Sequence, residues 1–433
     1  MKLDNISLAN FKGFEQLDLD FEPNVTVLAG INGIGKSSIL YAICVVLSRA
    51  LPTFTPSKSK SRYFEDIDIY LGKNSLDVAI QLSVSDQQLD VGIQRIRDDK
   101  DENDRFTLLR HSNEQPRQID LQKALQSRTL TGNLEAGEQE TRTILANLKN
   151  SASQPIAVYF SPKRQLPGRP RSLIDRQSSE ISQAYSYALQ DREVELREFL
   201  NWFRVQERLD KSQKVLDSLR DVVSEFIPEF TNLQLQETPK LAFIVQKHGK
   251  PFEMHQLSDG ERSLLALVFD LTRRLAIANP EISNPIAEGS AIVMIDEIEL
   301  HLHPTWQRQV LRRLTSTFKN CQFIITTHSP LVIGEIEARC IRFIERDEDT
   351  NEVISTTPSE AFGLDANRVL ELMGALERNK EITSQLYALF RFIDDEDFDG
   401  ARQAMIPLIE KIGDFDPEIT RAKTLIKFLE GNE

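Results

Sequence analysis

A chain of 433 residues, 40% hydrophobic and 27% charged, is long enough to bury a large core and to divide into two or three structural units. Its formal net charge of −14 argues against broad, unspecific attraction to nucleic acid, which needs Lys and Arg to displace counterions. The apolar runs Leu40–Val46 and Ala291–Ile295 fall short of the roughly 20 residues of a membrane span. Met1–Ser7 offers no signal-peptide core, and Cys44, Cys321 and Cys340 lack metal-ligand spacing, so a reducing cytoplasm without membrane attachment is the expected setting.

Alternating apolar and polar residues predict strands at Leu3–Leu8 and Leu17–Phe21, followed by the apolar strand Val25–Ala29. A glycine-rich turn and apolar residues at helical spacing then predict a helix over Ser37–Ser48. Residues 52–62, rich in Ser, Lys and Pro, read as an exposed loop. Strands are expected at Ile67–Leu71, Leu76–Val84 and Val91–Ile96, with a polar turn at Asp98–Asp104, and residues 115–155 read as polar helices. A basic cluster, Lys163-Arg164, Arg169, Arg171 and Arg176, sits among Pro162, Pro167, Gly168 and Pro170 and reads either as a solvated loop face or as a phosphate or partner surface.

Ser178–Phe230 reads as helical throughout, with Leu196, Phe199, Leu200, Phe203 and Val205, then Leu209, Val215, Leu216, Leu219, Val222, Val223 and Phe226, supplying an apolar face. No sustained heptad pattern occurs, so this block is a lobe rather than a long tether. The second half returns to alternation: a strand at Phe243–Gln246, a helix over Asp259–Ala278, a strand at Ala291–Ile295, a helix over Pro304–Phe318 and a strand at Gln322–Thr326. A strand pair is expected within residues 335–349, and helices over 359–433. The fold class implied is α/β, a mixed and largely parallel sheet with flanking helices.

Gly30-Ile-Asn-Gly-Ile-Gly35-Lys36-Ser37 matches G-x-x-x-x-G-K-[ST] between a predicted strand and a predicted helix, the context the phosphate-binding loop requires. Asn32, Gly33, Ile34, Gly35, Lys36, Ser37 and Ser38 are therefore the candidate ATP contacts: the glycines admit the phosphates to backbone N–H groups, and Lys36 reaches the β- and γ-phosphates. The Ser37 hydroxyl is a candidate Mg²⁺ ligand. Ile292–Ile295 followed by Asp296 and Glu297 is an apolar strand that delivers two carboxylates to the same sheet edge. Asp296 would hold Mg²⁺ through water, and Glu297 would orient or deprotonate the attacking water. Leu257-Ser258-Asp-Gly260-Glu261 opens a helix with a hydroxyl and free N–H donors, an ordinary cap on its own and a phosphate contact in company with the other motifs. His328 ends an apolar strand about 30 residues beyond the carboxylates. Gln165 is a candidate Mg²⁺ contact or a plain surface residue.

The order of these motifs, the opening Leu8-Ala-Asn-Phe11-Lys12-Gly13-Phe14 and the run from Asp296 to His303-Pro304-Thr-Trp-Gln-Arg308 resemble the RecF, SMC and OLD-like branch of ABC ATPases. The resemblance implies that Lys12 approaches the nucleotide and that His328 is a switch histidine facing the γ-phosphate. It also implies that Ser258, Gly260 and Glu261 contact the ATP held by a second chain, so the protein should form at least a homodimer around ATP. The units expected are 1–160, the first half of an ATPase head; 161–235, an inserted helical lobe; 236–350, the second half of the head; and 351–433, a C-terminal helical extension offering a partner or oligomer surface. Within the branch, Phe398-Asp-Gly-Ala401-Arg402, Asp416-Pro417-Glu418 and Arg421–Leu429 look like the PtuA family, the ATPases of Septu-type bacterial anti-phage defence. That likeness implies slow, regulatory hydrolysis and a separate small HNH nuclease partner, PtuB, that cuts DNA. A RecF-like DNA-repair ATPase and a nucleotide-sensing scaffold with little turnover are the alternatives.

Overall fold

The computed structural model describes residues 1–85, 87–97, 105–110, 143–164, 180–194, 196–208, 213–237, 242–347, 349–374 and 380–430. Gln165, Arg169, Arg171, Arg176, the turn Asp98–Asp104 and most of the block 115–155 lie outside the described residues. Two compact units divide the chain, Met1–Val369 and Leu370–Glu433.

The first unit is built on two large sheets. A five-stranded antiparallel sheet takes β1 (Lys2–Phe11), β2 (Phe14–Asp20), β4 (Ser75–Val84), β5 (Gln87–Ile96) and β6 (Arg105–Arg110) in the order β2-β1-β4-β5-β6. A six-stranded sheet takes β3 (Val25–Ala29), β7 (Ile156–Phe160), β11 (Ala291–Ile295), β12 (Cys321–Thr327), β13 (Ile341–Arg346) and β14 (Val353–Thr356) in the order β14-β13-β3-β12-β11-β7. All its pairings are parallel except the edge pair of β13 with β14. Every residue of β3, β11 and β12 is buried, which is why these strands read as unbroken apolar runs rather than as alternation.

Helix α1 (Lys36–Phe54) lies between the sheets, packing on β4, β5 and β12, with Cys44 Sγ 3.9 Å from Met294 Sδ on β11. By length and composition it is the one described helix apolar enough to cross a membrane, and 67% of its apolar window is buried inside the unit. Burial pushes the Cys44 and Cys321 thiols up to about 12. Beyond the sheets, α2 (Leu196–Glu207) and α3 (Gln213–Phe226) pack against α4 (Asp259–Ala278). A small antiparallel sheet of β8 (Phe230–Gln236), β9 (Ala242–Lys247) and β10 (Lys250–Glu253) adjoins them. Phe199 stacks on Phe269 of α4 at 4.2 Å, and Phe243 of β9 meets both Phe199 and Phe203, so the aromatic face of α2 packs on α4 and β9.

The second unit holds α6 (Lys380–Asp394), α7 (Phe398–Ile412) and α8 (Pro417–Glu430). They share a core of Leu386, Leu389, Ile393, Ala401, Met405, Leu408, Ile419, Ala422 and Ile426.

Five sequence expectations are corrected. Ile67–Leu71 is a 3-10 turn and irregular chain rather than a strand: Ile69 is buried and bridges Phe11, but Ile67 and Leu71 are 83% and 90% exposed. Residues 52–62 are not a free loop, because α1 runs to Phe54 and Thr55 and Ser57 are buried in local hydrogen bonds. Ser178–Phe230 is not continuous helix; Ile181–Tyr185 is a 3-10 turn and Phe230 opens a strand. The helix expected over Pro304–Phe318 breaks after Gln307, whose side chain bonds Leu302 O and Ser329 Oγ, and resumes as α5 (Val310–Thr317). The strand pair expected within 335–349 is shifted along the chain, since Ala338–Cys340 is a 3-10 turn and β14 begins only at Val353.

Candidate active site

Register sets the site. Ile295 pairs with Ile325, Thr327 with Ala29, and Ile295 with Phe160, so Gly30, Asp296 and His328 all emerge at one carboxyl edge of the parallel sheet. The loop Gly30–Gly35 leaves β3 with Gly30, Gly33 and Gly35 at φ of 149°, 81° and 111°. Gly35 is required twice over: its φ is left-handed, and a Cβ there would fall 2.4 Å from Phe14 Cζ. Gly35 also starts α1 without any side-chain cap; Ser38 N donates to Gly35 O at 2.9 Å, and among the described residues the N–H groups of Lys36 and Ser37 are left to meet an anion. Asn32 and Gly33 are exposed, Ile34 is buried, and Ser38 is half-buried in the first turn of α1.

Lys36 is buried and folds back over the loop, its Nζ donating to Gly30 O at 2.8 Å and Ile31 O at 2.9 Å. Burial lowers its pKa, and the charges of Glu299, Asp296 and Glu297 oppose that shift. Ser37 Oγ donates to Asp296 Oδ1 at 3.0 Å, joining the first helix residues to the end of β11. Asp296 is 3% exposed and also accepts from Thr326 Oγ1 and, at 3.4 Å, from Tyr159 OH. Burial and then Asp296 raise the Tyr159 phenol above its ordinary range, which keeps it a neutral donor. No group of three or more metal-type side chains occurs among the described residues. A hydroxyl and a carboxylate 3.0 Å apart, Ser37 and Asp296, are a donor set suited to one Mg²⁺ that also uses water and phosphate oxygens.

Glu297 is half-buried with φ of 50°, a left-handed conformation that is strained for a residue with a Cβ. Its N–H donates to Thr326 Oγ1 at 2.8 Å, and its carbonyl accepts from Leu300 N at 3.0 Å. Glu299 is 8% exposed and holds His328 twice, accepting from its backbone N at 2.9 Å and lying 3.1 Å from its Nδ1. Thr327 Oγ1 adds a third bond to the same carboxylate at 2.8 Å. With Nδ1 committed to Glu299, the Nε2 side of the half-exposed His328 ring is the side available for other chemistry.

Two predicted groups stand apart from this cluster. Lys12, at φ of 51°, lies 3.5 Å from Asp68 Oδ1 and 4.1 Å from the centre of the Tyr41 ring, so its charge is already engaged. Its hairpin still touches the loop, because Phe14 covers Gly35. Ser258 caps α4 in a reciprocal box with Glu261, which Lys247 neutralises at 2.7 Å. Gly260 abuts the turn after the carboxylates, where a Cβ would fall 2.4 Å from His301 O. Among the described residues, no hydrogen bond or ion pair joins Ser258, Gly260 or Glu261 to the loop Gly30–Ser37 of the same chain.

Sequence reasoning missed Thr326, Tyr159, Glu299 and Arg164. Glu299 had a faint signal, standing two residues after Glu297 in one acidic run. Arg164 had a misleading one: it belongs to the basic cluster read as a solvated or partner-facing loop, yet it is 2% exposed. Burial lowers its pKa to about 10 against the pull of Glu299, Asp296 and Glu297.

The family model described as the AAA ATPase domain matches residues 1–333. The chain belongs to that family and is an ATPase. Among its relatives, the Retron Ec83 probable ATPase of Escherichia coli is 28% identical over 398 residues, spanning 80% of this chain and 72% of that protein. The Retron Vc95 probable ATPase of Vibrio cholerae is 26% identical over 453 residues, spanning 90% of this chain and 82% of that protein. The Septu protein PtuA of Bacillus mycoides is 25% identical over 403 residues, spanning 89% of this chain and 47% of that protein.

Proposed function

We propose that the chain hydrolyses Mg·ATP with Glu297 as the general base and works as the nucleotide-driven subunit of a bacterial anti-phage defence complex. The observation that carries the chemistry is the convergence of Lys36, Ser37, Asp296, Glu297 and His328 at one sheet edge, with Ser37 and Asp296 in direct contact. ATP phosphates lie along the loop Asn32–Ser38; Lys36 leaves the carbonyls of Gly30 and Ile31 for the β- and γ-phosphates. Ser37 would ligate Mg²⁺ and Asp296 would hold it through water, and the ion would there offset the charge that builds on the phosphate oxygens during transfer. Glu297 takes a proton from water in line with the γ-phosphate, and His328, steadied by Glu299, donates to that phosphate.

The Ser258–Gly260–Glu261 cap completes the site of a second copy, so two chains close around ATP. Residues 1–160 and 236–350 act as the two half-heads and 161–235 as the lobe; of the extension expected over 351–433, Val353–Thr356 is strand β14 of the six-stranded sheet, and the partner-facing part is the compact unit from Leu370. The defence role rests on relatives named as retron ATPases and Septu PtuA, and it assigns the DNA cutting to a separate HNH nuclease in the cytoplasm. A RecF-like ATPase acting directly on DNA is the second reading. The site is tested by Lys36→Ala, which should lose nucleotide, and Glu297→Gln, which should keep ATP and lose turnover; unchanged hydrolysis in both refutes it. Sizing chromatography with an HNH protein encoded beside this chain tests the role, and failure to form a complex with or without Mg·ATP counts against it.

A further inference from the structure

Arg164 is almost fully buried, and among the described residues every hydrogen bond its guanidinium donates goes to a backbone carbonyl rather than to a carboxylate. Nη1 donates to Asp296 O at 2.6 Å and to Ser161 O at 3.4 Å; Nη2 donates to Glu297 O at 2.8 Å and to Ile298 O at 3.2 Å. Three consecutive carbonyls, those of residues 296 to 298, thus point at one planar fork. Extended chain cannot do this, because successive carbonyls of a strand face opposite sides. The chain achieves it by placing Glu297 at φ of 50°. A strained conformation of this kind persists only when its surroundings over-determine it. Here Thr326 Oγ1 receives the Glu297 N–H from one side and the guanidinium takes the carbonyls from the other.

We infer that Arg164 is a positioning residue for hydrolysis: it locks the turn that aims the Glu297 carboxylate, and it does so without touching nucleotide. The inference rests on Glu297 being the base. Lysine is no substitute, because a single ammonium cannot present the rigid planar fork that spans three carbonyls. Displacing a base by about 1 Å costs roughly 100-fold in rate.

The test compares Arg164→Ala, Arg164→Lys and Glu297→Gln in the full chain, with steady-state ATP hydrolysis, nucleotide affinity and thermal unfolding. Arg164→Ala should cut kcat by ~100-fold while KM for ATP stays within about threefold, and Arg164→Lys should recover little of it. Guanidinium chloride, well below denaturing concentrations, should restore part of the turnover of Arg164→Ala and none of that of Glu297→Gln. A wild-type kcat in Arg164→Ala, a loss confined to KM, a lack of guanidinium rescue, or failure of both Arg164 variants to fold would each overturn the inference. If instead Glu297→Gln retains wild-type turnover, the reading of the base fails, whatever Arg164 does.

Discussion

Asp270→Asn tests how the lobe is bound to the helix that carries Ser258. Asp270 sits on α4 at 5% exposure and accepts from Arg273 Nη2 at 2.9 Å and Arg274 Nε at 2.6 Å. Arg273 also reaches Glu198 of α2 at 2.8 Å, and Arg274 donates to Ala184 O and Ser186 O. The carboxylate thus neutralises two buried guanidinium groups that hold the lobe. Asparagine keeps the shape and removes the charge, and removing one member of a buried pair costs about 3–5 kcal/mol. With an unfolding entropy near 2.1 cal/mol/K per residue, a unit of this size loses about 0.8 kcal/mol for each kelvin, so the transition should fall by roughly 4–6 °C.

The pH dependence has a definite sign. Burial alone would raise the Asp270 pKa, but Arg274 and Arg273 outweigh it and hold the group well below the usual carboxylate range. A folded pKa below the unfolded value means the stabilisation is complete above about pH 4 and disappears as pH falls through the folded value. Scanning calorimetry of both proteins from neutral to acid pH should show a constant gap that narrows only below about pH 4. A neutral-pH gap under about 1 °C, or one that widens in acid, would refute the assignment.

Three further outcomes follow from the site. Gly35→Ala should lose ATP binding, since its Cβ meets the Phe14 ring at 2.4 Å in a left-handed backbone; equilibrium binding checks this, and normal affinity would show that the loop can shift. Thr326→Val strips a donor from Asp296 and an acceptor from the Glu297 N–H; turnover should fall at least ~10-fold, and an unchanged steady-state rate would remove Thr326 from the site. Glu299→Gln should lower kcat while ATP affinity is kept, because His328 Nδ1 loses its carboxylate at 3.1 Å; wild-type kcat would show that the ring needs no such anchor.

How much was legible in the sequence follows from where each contact comes from. The loop Gly30–Ser37, the carboxylates at 296 and 297 and the strand ending at His328 each carry their signal locally, and the parallel register then brings them to one edge. The central strands were legible because burial on both faces makes them continuous apolar runs. Arg164 was not, because its partners are backbone carbonyls more than 130 residues away, and carbonyls leave no side-chain signature. Glu299 was overlooked since its partners, Thr327 and His328, lie at the end of β12 and just beyond it. The false strand at Ile67–Leu71 shows the reverse error, a period-two pattern of which only Ile69 is buried while Ile67 and Leu71 face solvent. The break after Gln307 is set by a side chain that reaches Ser329 on another element, a tertiary bond that helical spacing alone does not announce.

The central claim is that ATP is held between two copies, with the Ser258 cap of one closing the loop of the other. Light scattering on Glu297→Gln with and without Mg·ATP tests it most directly, against a chain mass of 49.4 kDa. The mass should double when ATP is added, and a second change, Ser258→Arg, should block that doubling while leaving ATP bound. A Glu297→Gln protein that binds ATP with no change of mass would contradict the claim.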